Sequence, residues 1–223
     1  RYLEEGKPED LNTYKMEDPV RLKVIVHVGP KGFQKVGHIC FSYDNIVYSY
    51  GNYDSDSFRL NQTIGDGIFF TVPLEKYIPN MISAENNSIF EYGILTTPTQ
   101  NAFIEKEIEK IRLNGYRWYT KIEKEDGYDH FSQYEMDYPS RLHYRTGAKL
   151  YKVKSGKFHI YWALGDNCAS FTDLVLGTLG ADVLSIRGII SPGTYLDWLQ
   201  KEYLKKNSPI VSRCIYTKET VEQ

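Results

Sequence analysis

The amino-acid sequence predicts an α+β fold, and three observations predict it. Short runs rich in β-branched and aromatic residues recur along the first hundred positions, broken by turn residues. Two later segments open on helix caps and carry apolar faces over nine or more residues. The strands and helices do not alternate regularly, and there are no repeats and no low-complexity tracts, which excludes solenoids and arrays.

The elements follow in order. Residues 1–20 are rich in Glu, Lys and Pro and read as an arm or linker ahead of one domain over 21–223. Arg21–Gly29 (RLKVIVHVG) reads as a strand, and Gly29-Pro30-Lys31-Gly32 breaks it. VGHICFSY and IVYSYGNY are two strands around Asp44-Asn45, a pair suited to the positive φ angles of a two-residue hairpin turn. Gly67–Val72 and Ser88–Thr96 are further strands, with a short helix over Pro73–Asn80 that Pro79 should end. Thr97-Pro98 supplies an N-cap and first residue for a helix running to Asn114-Gly115, with Ala102, Phe103, Ile104, Ile108, Ile111 and Leu113 on its apolar faces. Residues 116–147 are aromatic and charged with weak periodicity, and read as an irregular insertion. Two short strands, or a strand and a turn, around Ser155-Gly156 precede GDNCASFTDLVLGTLG (Gly165–Gly180), a helix capped by Asp166 or Asn167 and stopped by Gly180. Ser191-Pro192 opens another helix, and Pro209–Thr217 closes the chain as a strand.

Composition bounds function. The chain has 223 residues, 41% apolar and 25% charged, with a formal net charge of −2. That is a globular composition without the basic excess of a nucleic-acid binder. No apolar run reaches the length of a membrane span. The chain begins Arg1-Tyr2-Leu3 without Met or signal-like segment, as a mature form or excised domain would. Three cysteines, Cys40, Cys168 and Cys214, make no disulfide scaffold, and no Cys/His spacing suggests a metal; no cofactor is expected. Among 19 tyrosines, clusters such as Tyr48-Tyr50-Tyr53 and Tyr116-Trp118-Tyr119 read either as strand walls or as surfaces that stack sugars or peptides.

Cys168 occupies the first turn of a buried helix, where free N–H groups and the positive dipole end favour a thiolate and an oxyanion. The same position suits a small core residue. A nucleophile also needs a base. Of five histidines, His27 reads as core, His130 and His143 as members of the insertion (His143 with a possible hold on substrate), and His159 as a residue near the Cys helix. His38 stands out through the hairpin register. Pairing Tyr43 with Ile46, Phe41 with Tyr48 and Ile39 with Tyr50 collects six large side chains on one face. His38, Cys40 and Ser42 then share the other face with Gly51, Ser49 and Val47. Gly51 leaves room against the imidazole, and Ser49, diagonally across, can accept its second N–H.

These pieces, in this order, resemble a known pattern. Gly37-His38, Tyr48-Ser49-Tyr50-Gly51 and Asp166-Asn167-Cys168-Ala169 are similar to the permuted branch of the NlpC-type, papain-like cysteine hydrolase superfamily, in which the His strand precedes the Cys helix. The likeness extends to lecithin:retinol acyltransferase-like and lipoprotein N-acyltransferase-like proteins. Secreted effector amidases share the Asn-Cys helix, and SPGTYLDWL looks like their following Ser/Thr-Pro helix. The resemblance implies a papain-like fold with Cys168 as nucleophile and His38 as base. Relatives carry His or Asp where this chain has Ser49, so Asn52, Asp54 and Asp56 are alternative orienting groups. Tyr50, Asn52, Asn167 and His159 are the expected substrate contacts. The implied activity is amide hydrolysis through a thioester, on peptidoglycan stem peptides, by a secreted antibacterial effector or toxin reaching a target-cell periplasm and countered by an immunity protein. Lipid or lipoprotein acyl transfer, cleavage or deamidation of a host protein, and a non-catalytic binding module remain the alternatives. A Cys40–Cys168 disulfide is a further possibility, one that would silence the thiol.

Overall fold

The computed structural model describes residues 20–29, 36–124, 132, 135, 137–179 and 191–218. His130, Gly180 and the arm over residues 1–19 lie outside them. The described residues form ten strands: β1 Leu22–Val28, β2 Val36–Tyr43, β3 Ile46–Gly51, β4 Ile64–Asp66, β5 Ile68–Pro73, β6 Ser88–Ile94, β7 Gly115–Trp118, β8 Lys149–Val153, β9 Ile160–Trp162 and β10 Ile210–Tyr216. Eight form one antiparallel sheet in the order β10-β6-β1-β2-β3-β5-β8-β7, and β4 pairs with β9. The helices are α1 Leu74–Pro79, α2 Pro98–Leu113, α3 Lys121–Lys124, α4 Tyr138–Thr146, α5 Cys168–Leu176 and α6 Pro192–Tyr203. The α+β class read from the sequence is the class observed.

The central strand β1 is buried along its whole length, because both faces of the sheet are covered. On one face α2, α5 and α6 pack through Ile104, Phe171, Val175, Tyr195 and Leu199 against Val24, Val26, Ile39, Phe41, Tyr48 and Tyr50. On the other, α1 and α4 pack through Tyr77, Ile78 and Leu142 against Ile25, Cys40, Val47, Phe70 and Leu150. No helix among the described residues is long and apolar enough to cross a membrane.

Local chemistry explains most boundaries. Asp44 and Asn45 adopt φ of 48° and 61°, the two positive values that a tight hairpin turn needs. Thr97 and Gln100 form a reciprocal capping box at the start of α2. Ser191 caps α6 through the Thr194 amide. Several expectations need correction. The helical path does not end at Pro79 but continues as a wider π-type turn over Asn80–Ala84. Phe103 and Leu113 are 52% and 68% exposed, so the buried stripe of α2 narrows to Ile104 and Ile108. The insertion over 116–147 contains β7, α3 and α4, tied together by Glu123, which accepts from Thr120 and pairs with Arg117. Charge pairing, which carries no periodicity, holds this segment. Helix α5 stops at Leu176, with Gly177 as its C-cap.

Phe171 anchors α5 to the sheet. It stacks on Tyr50 with centroids 5.0 Å apart, meets Phe158 edge-on at 5.4 Å, and lies 6.2 Å from Phe41. Three residues along a helix lie on one face, so the same contacts seat Cys168. Phe171→Ala should therefore cost about 3–5 kcal/mol, the usual penalty for truncating a buried aromatic. Urea unfolding checks this, and a loss under about 1 kcal/mol would refute the anchor role.

Candidate active site

The site begins with two irregularities in β2. The β1–β2 ladder pairs His27 with His38 and then Val28 with Val36, so Gly37 is an extra residue that bulges the strand beside His38. The β2–β3 ladder holds Tyr43 to Ile46, Ser42 to Val47 and Phe41 to Tyr48, and goes no further. Beyond Phe41, β2 stays with β1 while β3 stays with β5. The sheet thus parts between His38–Cys40 and Ser49–Gly51. In an unbroken ladder Ile39 and Tyr50 would exchange backbone hydrogen bonds, since such pairs alternate along an antiparallel hairpin. With the strands apart, the Ile39 amide is one of the backbone N–H groups that favour the thiolate form of Cys168.

The segment before α5 is built to bring that sulfur there. The Gly165 amide donates to Trp162 O at 2.9 Å, and a side chain at Gly165 would strike the Trp162 ring at 2.3 Å. Asp166 does not cap the helix; its Oδ2 accepts from the Phe158 amide at 3.2 Å. Asn167 is the cap. Its Oδ1 accepts from the Ala169 and Ser170 amides at 2.9 and 3.1 Å, and its Nδ2 donates to Ala163 O at 3.0 Å. Cys168 is 5% exposed, and the N–H groups of Ile39, Ala169 and Cys168 itself are directed at its sulfur.

His38, one residue before Ile39, is part-buried, and its Nε2 is hydrogen-bonded to Ser49 Oγ at 2.6 Å. That is the diagonal partner the hairpin register predicts. Ser49 Oγ in turn lies 3.1 Å from Tyr53 Oη. Tyr53 is the residue that sequence reasoning missed. Its signal was Gly51: a side chain there would meet the Tyr53 ring at 2.9 Å, so Gly51 makes room for Tyr53 and not, as the register suggested, for the imidazole. On its other side His38 meets the His27 ring edge-on at 5.3 Å. His27 is buried, its Nε2 3.1 Å from Tyr77 Oη and 3.9 Å from Cys40 Sγ. The His38 ring makes one hydrogen bond among the described residues, to Ser49; no bond joins it directly to Cys168.

The other expected site residues lie elsewhere. Tyr50 is fully buried, with its hydroxyl donating to Phe158 O at 3.0 Å, so it is a core residue and not a substrate contact. Asn167 is spent on capping. Asn52 donates to Gln62 O at 2.7 Å, Asp54 binds Lys152 at 2.6 Å, and Asp56 lies 3.7 Å from Lys121, so none of the three orients His38. His159 is exposed and held by Val153 O at 2.8 Å through Nδ1, away from the sulfur. His143 is held by Ala148 O at 2.8 Å and lies 3.6 Å from Glu123. All three cysteines are free thiols, so no Cys40–Cys168 bridge is present. Among the described residues, no group of three or more His, Cys, Asp or Glu side chains converges as a metal cage would.

Electrostatics correct one further expectation. Burial pushes the Cys168 thiol up from its ordinary value, against the pull of the three amides. Burial also lowers His38 to about 4, and His27 well below its ordinary 6.5. At rest Cys168 is therefore a neutral thiol and His38 a neutral imidazole, not the thiolate that the helix start alone suggests. Among the described residues no carboxylate is bonded to the imidazole, and desolvation outweighs the dipole. Models of protein families, curated proteins and solved structures were compared with the chain, and none matches it.

Two consequences are measurable. Alkylation of Cys168 by iodoacetamide should be slow at pH 7 and climb above pH 9, without a plateau near neutrality; a thiolate plateau below pH 7 would contradict the neutral pair. Stability should fall as pH drops below 6.5. A histidine whose folded pKa is lowered binds more protons when unfolded, so its contribution is present above 6.5 and lost progressively towards pH 4. Denaturant midpoints that stay level over that window would contradict the burial of these rings.

Proposed function

We propose that the chain is a cysteine hydrolase that cleaves amide bonds through a thioester acyl-enzyme. The observation that carries this reading is the parted hairpin: the Ile39 amide acts on the buried Cys168 sulfur at the start of α5, and His38, the residue before Ile39, is fixed by Ser49. With Nε2–H donating to Ser49, the lone pair of the neutral ring resides on Nδ1. In the first step Nδ1 takes the thiol proton as the sulfur attacks the carbonyl carbon. A neutral pair needs this general-base step because its thiolate fraction is small. The carbonyl oxygen becomes an oxyanion, stabilised by N–H groups at the start of α5. Nδ1–H then protonates the leaving amine, and the C–N bond breaks to give the thioester and free amine. Water, losing a proton to Nδ1, attacks the thioester, releasing a carboxylic acid and restoring the thiol.

The likeness of the His-strand and Asn-Cys motifs to papain-like cell-wall amidases directs the choice of substrate to peptidoglycan stem peptides, and the setting to a secreted antibacterial effector. The order of the pieces, sheet first and Cys helix after it, supports assignment to the permuted papain-like architecture.

Variants test the roles. Cys168→Ala should abolish turnover, and His38→Ala should lower kcat by about 10²–10⁴-fold. Ser49→Ala should cost about 10–100-fold by freeing the ring to turn. Tyr53→Phe, which keeps the packing and loses only one hydrogen bond, should cost about 2–10-fold. Muropeptide digestion read by mass spectrometry checks all four; undiminished cleavage by Cys168→Ala would overturn the proposal.

A further inference from the structure

The buried strand β1 carries a histidine, His27, that the hydrolytic scheme does not use. Pairing and the period of two put it on the same face of the sheet as Ile25, Cys40 and Ile89, where an apolar side chain would pack at lower cost. Two contacts give its ring a definite place. Nε2 lies 3.1 Å from Tyr77 Oη on α1, and the ring meets that of His38 edge-on, with centroids 5.3 Å apart. The second contact follows from register, because His27 and His38 are partners in the β1–β2 ladder.

The first contact is the anchor. His27 Nδ1 has no hydrogen-bond partner among the described residues, so the ring is held through Nε2. Tyr77 is itself fully buried, and Cys40 Sγ, 3.8 Å from its hydroxyl and 3.9 Å from His27 Nε2, completes the group. Two buried polar side chains thus satisfy one another where an apolar pair would serve the core as well or better. Their position beside His38 gives them a use. Ser49 holds a single atom of the His38 ring, and one such bond leaves the broad torsion between Cβ and the ring free to turn. A second ring packed against the first limits that rotation, provided it is itself held.

We propose that His27 is a positioning residue for His38: anchored by the Tyr77 hydroxyl, its ring keeps the His38 imidazole in the one orientation that presents Nε2 to Ser49. The proposal rests on the hydrolase reading and deepens it, since the same orientation leaves Nδ1 for proton transfer. Without the restraint the His38 ring can turn over and offer either nitrogen to Ser49.

The test compares the full chain with His27→Leu/Tyr77→Phe, which replaces both buried polar groups by apolar ones of similar size and so keeps the fold, as urea unfolding verifies. Nitrogen-15 spectra of labelled histidine at pH 7, with His38 assigned through His38→Ala, give the populations of its two tautomers. Wild type should show one His38 tautomer and the double variant both. Muropeptide cleavage by the double variant should lose about tenfold or more in kcat, as a misplaced base does, with KM unchanged. Tyr77→Phe alone, which removes one oxygen, should move both readouts in the same direction; no movement would reduce His27 to a packing residue and overturn the proposal. A double variant that keeps a single His38 tautomer, or wild-type kcat, would overturn it too. Absence of cleavage by wild type would count against the hydrolase reading, and the tautomer populations alone would then decide the role of His27.

Discussion

The geometry of this protein depends on one interrupted ladder. Beyond the Phe41–Tyr48 pair the backbone groups of β2 and β3 no longer satisfy each other. An amide such as that of Ile39 cannot stay buried without an acceptor at low cost. That amide acts on the Cys168 sulfur, and Phe171, one turn further on, packs α5 against Tyr50, Phe41 and Phe158 to hold the helix start in place. Phe158 is itself held by Asp166, so the turn leading into the helix and the aromatic cluster beneath it position one another. The parting of the strands, the Asn167 cap and the aromatic packing are one arrangement with one result: a buried sulfur influenced by the amide of Ile39, the residue that follows His38.

The electrostatic character of the site follows from what lies behind that histidine. A carboxylate would stabilise an imidazolium and draw the thiol proton across in the resting state. Ser49 and Tyr53 offer neutral dipoles, which fix the position of the ring but leave desolvation in control, with His38 near 4 and the thiol raised. Such groups keep Cys168 as a thiol at neutral pH. A buried neutral thiol is also a poor target for oxidants, since the thiolate is the form oxidised.

Much of this was legible in the sequence, and the reasons differ by element. The hairpin was the clearest, because a two-residue turn fixes register and a period of two then assigns every side chain to a face; the His38–Ser49 partnership followed from arithmetic. Caps at Thr97, Asn167 and Ser191 were legible because their hydrogen bonds are local. The parting of the strands was not, since a regular register continues Ile39 onto Tyr50 and only tertiary packing ends it. Tyr50 was misjudged for the same reason: its place in a Tyr-x-Tyr-Gly motif suggested a surface role, whereas the interrupted ladder and Phe171 bury it completely. The Tyr53–Ser49 contact was not legible, because Tyr53 lies past the end of β3, where periodicity no longer places side chains. The order in the 116–147 segment rests on charge pairs, Arg117 with Glu123 and Arg141 with Glu85, which no hydrophobic pattern reveals.

The measurement that bears most directly on the account is capture of the acyl-enzyme. Wild-type protein mixed with muropeptides, quenched in acid within seconds and digested, should yield a Cys168-containing peptide heavier by the mass of the acyl fragment and sensitive to hydroxylamine. His38→Ala should not accumulate it. Turnover of substrate without any adduct on Cys168, or an adduct on another residue, would contradict the assignment of Cys168 as the nucleophile that the parted strands hold in place.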